Sequence, residues 1–227
     1  MNRRDFLAAL AANLTFRQRA YADVLMREIA REMDAHDHAM AASLAAYTCD
    51  RHYFLENHRF RKKASLRVRM TYKHPGRKRF EVLAEEGTSA ICKRVLLPML
   101  TAEEEASRED VQPKTRMVDA NYSFKLIGED VLQDRRSYLL DATPKTRNRF
   151  LIRGRVWVDC QDFGIVRVEA APAQNPSILI RNTHIVQQST RFANGIWLPL
   201  YNRSDTDSFL FGRTDVSIDS TNYVLKS

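Results

Sequence analysis

The chain has 227 residues, 44% of them hydrophobic, a formal charge of +8 and a pI near 9.6. That length and apolar content suffice for one sizeable core and exclude a disordered chain. The basic excess would suit nucleic acid, but the arginines alternate with apolar residues, as in Leu66-Arg67-Val68-Arg69-Met70, which is the pattern of a solvated sheet face. No RNP-type aromatic signature, zinc-finger spacing or recognition-helix pattern accompanies them, so nucleic acid is not an expected partner.

The amino terminus reads as an export signal. Arg3 and Arg4 precede a short, weakly apolar segment, Leu7 to Phe16, followed by Arg17, Arg19 and an A-x-A-type site at Ala20, Tyr21 and Ala22. This order resembles a twin-arginine signal occupying residues 1–22. Its removal takes the charge from +8 to +5, so part of the basicity belongs to the signal. No other segment approaches the roughly 20 apolar residues of a membrane span, and residues 23–227 are expected to be a soluble, periplasmic single domain.

From Asp23 to about Ala46, Val24, Leu25, Ile29, Met33, Met40 and Leu44 recur at helical spacing between charged residues, predicting an amphipathic helix. The period then changes to two. Tyr47–Leu55, Leu66–Tyr72 and Arg79–Ala84 are predicted strands, the last two joined by a turn at Lys73–Arg77. Ser89 to about Arg108 is again helical, with Pro98 expected to divide it. From Asn121 onward the pattern is all strand: Tyr122–Ile127, Arg136–Asp141, Phe150–Val158, Ile165–Ala170, Ile178–Gln187, Gly195–Leu200, Phe209–Arg213 and Val216–Leu225, with Pro144, Asn175, Pro176, Asn194 and Gly195 among the breakers.

The clearest unit is Phe150 to Ala170. Ile152, Val156 and Val158 alternate with Arg153, Arg155 and Trp157, while Val166 and Val168 oppose Arg167 and Glu169. Asp159, Gln161, Asp162 and Gly164 supply turn chemistry between the two runs. Extending the alternation to the other strands collects one apolar face, which includes Leu66, Val82, Ile178, Ile196 and Leu200, and which the two helical segments must cover. A sheet of about ten antiparallel strands curls rather than stays flat. The expected fold is therefore α+β: a curved antiparallel sheet forming an incomplete β-barrel covered by helices.

Catalytic and metal chemistry are not expected. Asp34 and His38 share a helix face, but two ligands do not make a site, and Asp34, His36, Asp37 and His38 read as solvated helix surface. His52, His58, His74 and His184 are scattered, with no nucleophile motif, P-loop, G-x-G-x-x-G or H-E-x-x-H. Glu103, Glu104 and Glu105 are expected to solvate a helix end. Trp157 and Trp197 fall opposite the valine and leucine sets, where packing at the rim is their expected role. Cys49, Cys92 and Cys160 lack C-x-x-C spacing and do not form a framework; a single bridge such as Cys49 to Cys160 is left open.

The order of export signal, long amino-terminal helix, hairpins, helical insert and antiparallel strands resembles the LolA/LolB-like lipoprotein-carrier superfamily, and particularly its outer-membrane lipoprotein-sorting members. The local match is best from Tyr122 to about Asn202, in Gly128 to Leu140, Thr143-Pro144-Lys145, Gly154 to Glu169, and Gly195-Ile196-Trp197-Leu198-Pro199. The resemblance implies a hydrophobic cavity between sheet and helices that accepts a lipid or lipoprotein acyl chain, with no cofactor and at most transient membrane contact. On this sequence the cavity candidates are Val68, Met70, Phe80, Phe124, Leu126, Leu140, Val156, Val158, Val166, Val168, Ile180 and Leu198. The alternative expectation is an envelope regulatory or scaffolding module of the same fold that binds a protein partner and no lipid. For the signal, replacing Arg3 and Arg4 with lysines is expected to retain the precursor in the cytoplasm in a fractionation experiment; unchanged export would refute the twin-arginine assignment.

Overall fold

The computed structural model describes residues 3–175, 179–193 and 195–226, with side chains from residue 22 onward. Met1, Asn2, Pro176, Ser177, Ile178, Asn194, Ser227 and the side chains of residues 3–21, where the export signal is expected, lie outside the described residues. Helix α1 (Arg3–Ser43) leads into three strands, β1 (Ala46–Asn57), β2 (Lys62–Lys73) and β3 (Arg77–Gly87). A helical insert follows, built from α2 (Ser89–Ile91), a π-helical turn (Cys92–Leu96), α3 (Leu97–Ala106) and a 3-10 turn (Gln112–Lys114). Seven strands complete the chain: β4 (Tyr122–Leu132), β5 (Arg135–Pro144), β6 (Ile152–Asp159), β7 (Ile165–Pro172), β8 (Ile180–Arg191), β9 (Trp197–Ser208) and β10 (Gly212–Lys226).

All ten strands form one antiparallel sheet in the order β3-β2-β1-β10-β9-β8-β7-β6-β5-β4. Each hairpin neighbour in sequence is a neighbour in space except at one place. The last strand pairs with the first, Tyr53 opposite Ile218 and Leu55 opposite Val216, which leaves β3 and β4 as the two free edges of an open sheet. The insert therefore runs from one edge to the other. Register shifts at Trp157/Val158, Leu126/Gly128 and Gln188/Ser189 add local bend and twist, so the sheet curves around one face.

The two helical segments cover opposite flanks of that face. Met26, Ile29, Ala30 and Met33 of α1 pack on Tyr122, Leu140, Val156, Val158 and Val168, while Leu44 at its carboxyl end reaches Tyr47, Met70 and Leu198. On the other flank Cys92, Leu96 and Leu100 of the insert pack on Tyr53, Leu55, Leu66 and Val68. Pro98 does not divide the insert where it stands. It lacks the N–H that would bond Arg94, and the chain continues across it through the wider π turn Cys92–Leu96, in which Leu97 N–H donates to the Cys92 carbonyl.

Three further sequence expectations are corrected. Phe209–Arg213 is not a strand of its own: Phe209, Leu210 and Phe211 form the tip of the β9–β10 hairpin, while Gly212 and Arg213 open β10, whose pairing begins at Gly212 opposite Ser208. Val82 and Leu200 do not join the covered face; edge strand β3 leaves Val82 40% exposed, and Leu200, beside the Gln188/Ser189 register shift, is 41% exposed. The apolar face is also not continuous. Register carries it from Ile218 and Val216 onto Asn202 and Ser204, then onto Gln187, Ile185 and Thr183, so its middle is lined by hydroxyls and amides, with Thr183 and Thr206 in hydrogen-bond contact at 3.1 Å. Cys49, Cys92 and Cys160 are all free thiols: Cys49 is buried among Tyr47 and Met70, whereas Cys160 sits at the β6–β7 turn.

The Phe150–Ala170 hairpin forms as expected, and its turn shows why these residues are needed. The Asp159 carboxylate has no exposed surface; it accepts the backbone N–H groups of Gln161 at 2.9 Å and Asp162 at 2.7 Å, and both Arg135 guanidinium donors at 2.6 and 2.8 Å. Gly164 lies flat against the Trp197 indole, where an added Cβ would fall 2.1 Å from Cδ1. Gly164→Ala is thus expected to destabilise the fold by about 1–3 kcal/mol, as overpacking does, measured as a lower urea midpoint at unchanged slope.

Candidate functional site: the covered face beneath the amino-terminal helix

Twelve apolar side chains were expected to line a cavity, and the structure divides them. Leu140, Val156, Val158 and Val168 are buried against α1, with Phe124 and Leu126 partly buried beside them. Val68 is buried under the insert with Phe80 at its margin, and Met70 and Leu198 belong to the cluster around Leu44. Val166 is elsewhere. The bulge between Trp157 and Val158 pairs Val158 with Ile165 and turns Val166 away from Val168, into a separate cluster with Trp157 and Trp197. Ile180, half-buried at the start of β8, joins none of these groups.

Val168 and Phe124 line clefts among the described residues. Val168 lines a cavity of about 300 Å³ between α1 and strands β6–β9, whose apolar wall includes Met33, Met40, Met117, Ile165 and Trp197. That volume is at the small end of the range of ligand pockets. Three unbranched, polarizable thioethers make the wall adaptable in shape. Polar groups close it. His36 and Trp197 both line the cavity, and the buried His36 Nε2 and Trp197 Nε1 each lack a hydrogen-bond partner. Burial pushes the His36 imidazole below its ordinary value, against the pull of Asp162, Asp37 and Asp159, which favours its neutral form at neutral pH. Phe124 borders a second, larger and charged cleft of about 760 Å³ between α1 and residues 113–120, lined by Asp23, Arg27, Arg31, Asp34 and Arg116 among others.

Arg116 separates the two clefts and corrects the reading of Asp34 and Asp37 as merely solvated. From the segment before β4 it donates to Asp37 at 2.7 Å and Asp34 at 3.1 Å on α1, with His38 3.3 Å from Asp34. Among the described residues no group of three or more His, Cys, Asp and Glu side chains is placed to hold a metal ion. Trp157 and Trp197 are buried as packing residues, and Trp157 Nε1–H donates to Asp130 at 3.0 Å.

The glutamate run does not solvate a helix end. Glu103 accepts Arg51 Nη1 at 2.9 Å on both oxygens and Lys78 Nζ at 2.8 Å; Glu104 accepts the Phe80 N–H at 3.1 Å, and Glu105 pairs with Arg149. The carboxyl end of α3 lies over the sheet, so side chains that sequence alone would leave in water meet basic partners from β1, β3 and the β5–β6 loop. Arg51 is 5% exposed on β1, and its hydrogen-bonding reach also includes the Tyr53 hydroxyl at 3.4 Å. A lone arginine at an inward strand position, among Tyr47, Cys49, Tyr53 and Leu55, was the available sequence signal for this pin.

No protein-family model and no curated protein sequence matches the chain. Similar solved structures include a domain assigned as an outer-membrane lipoprotein-sorting protein from Vibrio parahaemolyticus, at 10% identity, with 88% of this chain and 92% of that one covered and a TM-score of 0.45. A LolA superfamily protein from Nitrosomonas europaea is 12% identical, covering 81% of this chain and 87% of that one, with a TM-score of 0.45. The complex of MucA and MucB from Pseudomonas aeruginosa is 7% identical, covering 88% and 99%, with a TM-score of 0.30. At these identities the likeness is one of fold alone, and function has to be argued from this chain's own residues.

Burial works against the Glu103 charge, but Lys78 and Arg51 outweigh it and hold the carboxyl at about 2, below the ordinary 4.5. Its contribution to stability is therefore complete above about pH 4.5 and is lost as pH falls toward 2. Glu103→Gln is expected to cost about 3 kcal/mol at pH 7, since it leaves Arg51 buried without its counter-ion, and the difference from the unsubstituted chain should shrink in urea titrations at pH 3.

Proposed function

We propose that this chain is an exported, non-catalytic binding protein that holds an acyl chain of a lipid or lipoprotein in the cavity beneath α1. The observation that carries this reading is the cavity itself: an adaptable Met33, Met40 and Met117 wall over Ile165 and Val168, with His36 and Trp197 as unpartnered polar groups. Burial of methylenes against that wall contributes about 0.8 kcal/mol per CH₂, so no reactive group is required for affinity. The polar groups suit an acyl ester or amide, whose carbonyl can accept the Trp197 Nε1–H. Export rests on the Arg3-Arg4 signal reading, which places the function in the periplasm; no helix among the described residues is long and apolar enough to cross a membrane.

A second reading has one observation in its favour. The charged 760 Å³ cleft along Asp23, Arg27, Arg31 and Asp34 suits a polar protein segment, as a regulatory or scaffolding module of the envelope would bind. Native mass spectrometry of the chain purified from its own envelope separates the two. The expected result is a co-purifying lipid that Val168→Phe, which fills the cavity, reduces tenfold or more. Ligand-free protein bound to one stoichiometric partner would instead establish the second reading.

A further inference from the structure

One end of the sheet carries a group of exposed apolar side chains that neither cleft uses. Phe60, at the tip of the β1–β2 hairpin, is 52% exposed, and Phe209, Leu210 and Phe211, at the tip of the β9–β10 hairpin, are 54–55% exposed. The β2–β3 turn at His74–Gly76 and the β4–β5 turn at Gln133–Asp134 carry no phenyl ring, and Phe163 in the β6–β7 turn packs back on the core beneath α1. Four large apolar groups at two adjacent tips form a contact surface rather than a scatter of single exposed residues.

The surface is built. Asn57, 6% exposed, joins the two tips: its Nδ2 donates to the Phe211 carbonyl and to Thr214 Oγ1, both at 2.8 Å, and its Oδ1 accepts the Phe60 N–H at 2.9 Å. Ser208 Oγ accepts the Phe211 N–H at 2.9 Å, and Phe209 N–H donates to the Leu179 carbonyl at 3.0 Å. Gly212, at φ +63°, lets the turn close against the Arg59 side chain. With the Phe60, Phe209 and Phe211 N–H groups and the Phe211 carbonyl hydrogen-bonded within the chain, the exposed side chains stand on ordered turns and little ordering remains to be done on contact.

The collar around them is basic. Arg59, Arg61, Lys62, Lys63, Arg181 and Arg213 flank the tips, and three carboxylates answer them: Glu56 beside Lys63, Asp207 beside Arg181, and Asp215 beside Arg213 and His58. The excess is positive. The Arg181 guanidinium stacks 4.0 Å over the Phe209 ring, so cation and aromatic share one spot. A few protruding aromatic and leucine side chains inside a cationic rim match an anionic bilayer surface, where rings sit at the headgroup boundary and the rim attracts acidic headgroups.

We infer that the paired tips of the β1–β2 and β9–β10 hairpins are a docking site for an anionic phospholipid surface, with Phe60, Phe209, Leu210 and Phe211 entering the headgroup layer. The site is independent of whether the cavity under α1 holds an acyl chain. Flotation with phosphatidylcholine vesicles, with and without phosphatidylglycerol, tests it. The chain is expected to float only with the anionic vesicles and less as salt rises; the triple variant Phe209→Ser, Leu210→Ser, Phe211→Ser should lose at least tenfold in partitioning while its unfolding midpoint stays unchanged. Arg59→Glu with Arg61→Glu should abolish the preference for phosphatidylglycerol, and Leu210→Trp should shift its emission to the blue only when anionic vesicles are added. Equal flotation of the triple variant, no flotation with either lipid, or a dimer in sedimentation that the triple variant loses without any vesicle binding would each overturn the assignment.

Discussion

The pairing of β10 with β1 is the constraint on which the rest of this molecule depends. Two meanders, β1–β3 and β4–β10, would each be a separate sheet with an uncovered face. Zipping the last strand onto the first, from Ala46 opposite Lys226 to Asn57 opposite Thr214, merges them and sends β3 and β4 to opposite edges. The connection between those edges then has to cross the sheet, and residues 88–121 become a cover because topology allows them no other course. That one antiparallel ladder sets the shape of the covered face and also brings the β1–β2 and β9–β10 tips side by side.

A cover held only by apolar contact could slide on a curved face, and the charges fix where it stops. Glu103 pins the insert to Arg51 and Lys78 of the sheet on one flank; Arg116, from the same connection, meets Asp34 and Asp37 of α1 on the other and ties the two covering segments to each other. These contacts are directional, whereas the hydrophobic effect that buries Leu96 and Met33 is not. Between the two pinned flanks lies the part of the face lined by Thr183, Gln187, Asn202 and Ser204. The apolar wall is thus two packed halves with a polar strip between them, and the cavity at Met33, Val168 and Trp197 lies where α1 passes from one cluster to the next.

Much of this was legible in one dimension. The period-two runs located the strands because one face of each is buried and the other wet, and Asp159 and Gly164 marked their turn because each has a local job. What failed did so for identifiable reasons. Phe209, Leu210 and Phe211 carry the apolar and aromatic character of a strand, and only pairing shows that they stand at its end. Val166 obeys the alternation until a bulge, invisible in composition, reverses it. Glu103, Glu104 and Glu105 look solvated because their partners are up to 52 residues away in sequence.

By itself, the sequence determined the class of fold, the alternation that makes one sheet face apolar, the helices that cover it, and the chemistry of its turns, because each of these depends on neighbours within a few residues. The tertiary structure alone decided which apolar side chains border space and which are packed shut, which charges are partners, and that two distant turns share one aromatic tip. Those properties depend on register and strand order, where one bulge or one ladder moves a side chain to another face or brings residue 57 beside residue 211.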